Sequence, residues 1–68
     1  MTLTPKQMVK LLEQSGFVLV RQRGSHILFV NSKTGKMTVV PMHGKDLKPG
    51  LESRILKDAG LKKFKEYL

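Results

Sequence analysis

The chain has 68 residues, enough for one domain spanning 1–68, and a domain this small buries only about 60% of its unfolded surface. It lacks cysteine, which excludes disulfide staples and thiolate metal or redox sites, and no long apolar run opens it, so the expectation is a cytoplasmic protein with neither signal peptide nor membrane span. Thirteen Lys and Arg against five Asp and Glu give a formal net charge of +8, spread along the whole chain, which favours a polyanionic partner over a merely soluble surface.

In chain order, Leu3-Thr4-Pro5-Lys6-Gln7-Met8 has the form of a helix start. Thr4 at the N-cap and Gln7 three residues on make a capping box, and Leu3 with Met8 has the spacing of a hydrophobic staple. Pro5 falls at the first helical position, where its missing N–H costs nothing. Met8, Leu11, Leu12 and Ser15 then line one face, and Gly16 ends the helix.

Phe17 to Arg23 is rich in β-branched and aromatic residues and predicts a strand. Gly24-Ser25 is a short turn, Ile27 to Val30 a second strand, and Asn31 to Gly35 a second turn. Lys36 to Val40 is a third strand, stopped by Pro41. After the loop Met42 to Asp46, a second helix begins between Leu47 and Pro49, with Leu51, Ile55, Leu56 and Ala59 as its apolar face and Gly60 as its end. Leu61, Phe64 and Leu68 allow one further helical turn. The order is α-β-β-β-α: an α+β fold with a three-stranded antiparallel sheet and helices on one face. By strand parity His26 shares a face with Leu28 and Val30; if Phe29 points to the core, that face is the open one.

The stretch Arg21-Gln22-Arg23-Gly24-Ser25-His26 joins two guanidinium groups, a glycine, a hydroxyl and an imidazole. Imidazole is the usual proton carrier near neutral pH. RNA brings its own nucleophile, the 2′-hydroxyl. Cleavage therefore asks a protein only for a base, an acid and positive groups around the phosphate, with no metal or other cofactor. His26 is the candidate base or acid. Arg21, Arg23 and Lys36 are candidate phosphate contacts, Gly24 permits close approach, and Ser25 adds a donor hydroxyl. Taken alone, His26 fits a partly buried strand histidine as well. His43 is a structural loop residue or the second member of a histidine pair. The lysines Lys57, Lys62, Lys63 and Lys65 are a solvated face or a non-specific phosphate surface. Two histidines without a carboxylate cluster make a poor metal site, and Asp46, Glu52 and Asp58 are ordinary surface charges.

An ordered set of features resembles the HicA (YcfA-like) family of bacterial mRNA interferase toxins. These are Gly16-Phe17, Arg21, Gly24-Ser25-His26, Gly35, Pro41-x-His43, and Gly50-Leu51-x-x-x-Ile55-Leu56-x-x-Ala59-Gly60-Leu61. They cover nearly the whole chain; Lys48-Pro49 before Gly50 is a departure. The resemblance implies a double-stranded-RNA-binding-domain-like fold and metal-independent endonucleolytic cleavage of mRNA with His26 as the catalytic residue. It also implies a cognate HicB-like antitoxin that covers His26 and forms a hetero-oligomeric complex. Two other readings suit the same size and charge: a non-catalytic RNA-binding module, and an interaction protein whose open sheet face only meets a partner.

Overall fold

The structure, a computed structural model, describes residues 2–42 and 44–61. Helix α1 spans Pro5–Gln14, strands β1, β2 and β3 span Val18–Arg23, His26–Val30 and Met37–Pro41, and helix α2 spans Pro49–Asp58. The strands form one antiparallel sheet in the order β1-β2-β3. The α-β-β-β-α order and the meander are those expected.

Helix α1 starts with the expected capping box. The Gln7 N–H donates to Thr4 Oγ1 at 3.2 Å, and the Thr4 N–H donates to Gln7 Oε1 at 2.9 Å, with Pro5 inside the cap. At its end the Phe17 N–H reaches Leu12 O (3.0 Å) and the Gly16 N–H reaches Glu13 O (3.2 Å). This is the Schellman arrangement, which needs φ of 96° at Gly16. Its hydrophobic partners are Phe17 and Leu12, both buried. Phe17 is therefore the residue after the cap and not part of a strand; β1 begins one residue later. Helix α2 closes the same way, through Leu61 N–H to Leu56 O at 2.8 Å and Gly60 N–H to Lys57 O at 3.0 Å. Its start at Pro49 places that proline at the first helical position, so Lys48-Pro49 fits the helix start it precedes.

The core lies between one sheet face and the two helices. Ile27, Phe29 and Val40 enter it from the sheet, Met8 and Leu12 from α1, and Ile55, Leu56 and Ala59 from α2 and its cap. Leu51 and Leu61 pack against its margin; Phe64 and Leu68 lie outside the described residues. Two buried polar side chains tie the layers. Glu52 accepts the Leu3 N–H at 2.6 Å, joining the N-terminal segment to α2. Asn31 donates to Ser15 O at 3.2 Å and accepts from the Lys33 N–H at 2.9 Å, joining the β2–β3 turn to the end of α1.

Pro41 is the last residue of β3 and does not stand beyond it. The Met42 N–H donates to Ser25 O (2.6 Å) and the Asn31 N–H to Lys36 O (2.9 Å). With the observed register, the hydrogen-bonded pairs are then Ile27–Val40 and Phe29–Thr38. Pro41 occupies an intervening position, where its backbone nitrogen faces away from the sheet and no ladder bond is lost.

The Thr38 hydroxyl is buried beside the core and has no hydrogen-bond partner among the described residues. A buried hydroxyl without a partner is costly, and an apolar replacement of the same shape removes that cost. Thr38→Val should leave stability unchanged or raise it by up to about 1 kcal/mol in urea denaturation. A comparable loss would mean that the hydroxyl is bonded in solution.

Candidate functional site

Residues directly opposite in an antiparallel ladder share a face. Because Ile27 and Phe29 are buried, His26, Leu28 and Val30 lie on the other side of the sheet, where His26 is exposed and the two apolar residues half-buried. From β3, Met37, Val39 and Pro41 stand opposite Val30, Leu28 and His26 and complete this open face.

On β1 the parity is reset part-way along. Val18 pairs with Val30 and Leu19 with Phe29, but Arg21 pairs with Leu28, leaving Val20 as a one-residue bulge. Beyond the bulge Gln22 faces the same way as Ile27, while Arg21 and Arg23 stand opposite Leu28 and His26. In an unbroken strand Leu19 and Arg21 would share a face. The bulge lets Leu19 stay on the helix side while both guanidinium groups join the imidazole.

The turn between these strands is the minimal two-residue kind, since Arg23 pairs directly with His26. Gly24 has φ of 60° and Ser25 does not have positive φ, the signature of a type II′ hairpin turn with glycine at its first central position. Qualitatively the turn is anchored twice. Gln22 Nε2 donates to Gly24 O at 3.1 Å, and Ser25 O accepts the Met42 N–H from the end of β3. Arg21, Arg23, His26, Leu28 and Val39 together line a shallow depression of about 200 Å³. Two cations and an imidazole thus surround an apolar floor, and no carboxylate lines it among the described residues. Among those residues no group of three or more His, Asp or Glu is placed to hold a metal ion, and no helix is long and apolar enough to cross a membrane.

A family model described as the HicA toxin of bacterial toxin–antitoxin systems matches residues 5–61. The chain belongs to the HicA toxin family. No curated protein matches it.

Four sequence-predicted residues of this HicA-family chain, Arg21, Arg23, Gly24 and Ser25, converge on His26. Lys36 does not. Its carbonyl pairs with Asn31, five residues along from His26 and so roughly 17 Å away at strand spacing. Its side chain lies over Gly60, where an added Cβ would come within 2.8 Å of Lys36 Cδ. His43 lies outside the described residues, as do Lys62, Lys63 and Lys65, and Lys57 is exposed on α2. Val39 and Pro41 were not singled out from sequence. They reach the site only through the β2–β3 register, and the signal for the bulge was the awkward spacing of Leu19 and Arg21.

Replacing Gly24 meets no neighbour, because a Cβ there would face open space; the cost is confined to the backbone conformation. Gly24→Asn should therefore cost less than Gly24→Val, for which the loss should be on the order of 1–2 kcal/mol in thermal or urea unfolding. Equal stability of the two variants would contradict the turn assignment.

Proposed function

We propose that this HicA-family chain is an endoribonuclease that cleaves mRNA without a metal, with His26 as the catalytic residue, and so inhibits translation and growth. The single observation that carries this reading is the convergence of His26 with Arg21 and Arg23 on one accessible sheet face. RNA laid across that face meets the two guanidinium groups at phosphate oxygens, where Arg binds in bidentate fashion. The exposed Gly24 brings the turn backbone close to the ribose–phosphate chain, and the Ser25 hydroxyl is a further donor. In the reaction the 2′-oxygen forms a bond to phosphorus and the bond to the 5′-oxygen breaks. His26 accepts the 2′-proton or protonates the 5′-oxygen, solvent water carries the other of these two protons, and the arginines stabilise the crowded phosphate. Lys36 stands too far along the sheet to share that phosphate and would meet only a remote one.

Membership of a toxin family implies a toxin–antitoxin partner. We infer that this partner is a HicB-like antitoxin that covers the His26 face in a hetero-oligomeric complex. A surface with net charge of +8 favours an acidic protein there. Action on mRNA places the toxin in the cytoplasm. The competing reading, a non-catalytic RNA-binding module, shares the arginines and the fold but gives His26 no proton to move.

His26→Ala should lower RNA cleavage in EDTA by at least about 10²-fold and relieve growth inhibition, with circular dichroism and RNA affinity near wild type. Undiminished cleavage by that variant would remove His26 from the reaction, and a wild-type protein that binds RNA without cutting it would leave the binding-module reading. In the same assays Arg21→Gln and Arg23→Gln should each reduce the slope of log affinity against log salt by about 0.7 on single-stranded RNA.

A further inference from the structure

We propose that the edge of β3, with which no strand pairs among the described residues, is a strand-addition site, at which an extended acidic segment of the antitoxin pairs with the toxin's sheet and is thereby led toward His26. The proposal rests on the toxin reading above for the existence of the partner, and on the geometry of β3 for the place.

The ladder assigns the edge. Thr38 and Val40 exchange their backbone hydrogen bonds with β2, so Met37 and Val39 point both N–H and C=O groups outward, and Pro41 points a C=O. Unpaired groups of this kind are a template for an incoming strand. Both residues are open to approach, Met37 at 56% exposure and Val39 at 45%. Alongside lies a groove of about 760 Å³ whose far wall is the 44–48 loop and the exposed side of α2. It is lined from Met37 at one end to His26 at the other. Five residues of β3 at strand spacing span roughly 16 Å, the length of a five- or six-residue extended segment.

The other edge of the sheet is less suitable. Strand β1 carries the Val20 bulge, which interrupts the regular spacing that an added strand would need.

Charge selects the occupant. Lys45, Lys48 and Arg54 line the groove against Asp46 and Asp58. Asp58 already faces Arg54 at 4.0 Å, so Lys45 and Lys48 outnumber the remaining carboxylate. A second copy of this chain would bring another net charge of +8 to the same edge, and like charges facing each other disfavour that pairing. An acidic segment is attracted, and one side of it would pack apolar side chains over Met37 and Val39. The same segment, reaching Pro41, lies two strand spacings, about 10 Å, from the strand that carries His26, and the groove beside it is lined by His26 as well.

The test compares the free toxin with its complex with the cognate antitoxin. Amide hydrogen exchange should show Met37 and Val39 exchanging rapidly in the free toxin and strongly protected in the complex. Met37→Pro removes one outward N–H at the first residue of the strand and no ladder bond. It should keep the wild-type circular dichroism spectrum and bind the antitoxin at least about tenfold more weakly. Two results overturn the proposal: antitoxin affinity of Met37→Pro equal to wild type, or β3 edge amides that are unchanged on complex formation or already protected in the free toxin, as a self-paired edge would be. The exchange measurement uses wild-type protein and stands even if the variant folds poorly. RNA cleavage by the free wild-type toxin, read in parallel, separates the two claims. Edge protection with no cleavage supports strand addition and removes the nuclease; cleavage with an unprotected edge does the reverse.

Discussion

Phe29 and Ile27 entering the core is the constraint from which the outer face of this protein follows. Successive side chains on a strand alternate, so once these two are buried, His26 and Leu28 must project the other way. A slip of one residue in β2 would bury the imidazole and expose the phenyl ring. Burial of a side chain like Phe29 stabilises by roughly 1.5–3 kcal/mol, a large share of what a domain this size possesses in total. The position of His26 is therefore maintained by packing on the opposite face, and the site needs no dedicated scaffold of its own.

Around that fixed strand, each edge of the sheet does something different. At β1 the Val20 bulge corrects the parity so that Arg21 and Arg23 accompany His26 while Leu19 stays on the side of Phe29. At β3 the edge keeps regular spacing through Met37 and Val39 and ends at Pro41, beside a groove that runs back to His26. On the proposed reading, the substrate side and the partner side would meet at one imidazole. Physical blocking of RNA by a protein docked along β3 requires no conformational change in the toxin.

Much of this was legible in the sequence because it is governed by local rules. The Thr4–Gln7 capping box, Gly16 and Gly60 as helix stops, and the Gly24-Ser25 turn all depend on residues within five positions of one another. The grouping of Arg21, Arg23, Gly24 and Ser25 with His26 was equally legible, since a two-residue hairpin turn holds them together. What escaped depends on non-local pairing. Whether Phe17 belongs to a strand or seals a helix end is decided by its contact with Leu12. Whether Lys36 joins the site is decided by the direction of β3, which carries it to the far end of the sheet. The run Val18-Leu19-Val20 hides its own parity, because three apolar residues fit either face; only pairing with Val30 and Phe29 reveals that Val20 is the extra one. Buried Glu52, read as a surface charge, is held by the Leu3 N–H from the other end of the chain.

The central claim is that strand parity assembles the site, and two single-residue deletions in β1 test it. Removing Val20 erases the bulge and keeps Arg21 opposite Leu28 and Arg23 opposite His26. Removing Gln22 also leaves a regular ladder of the same length, but turns Arg21 to the side of Ile27, away from His26. RNA cleavage by the two proteins, with folding verified by circular dichroism, is the direct measurement. The variant lacking Val20 should cleave close to wild type and the one lacking Gln22 should be markedly slower. Equal activity of the two folded variants would contradict the account.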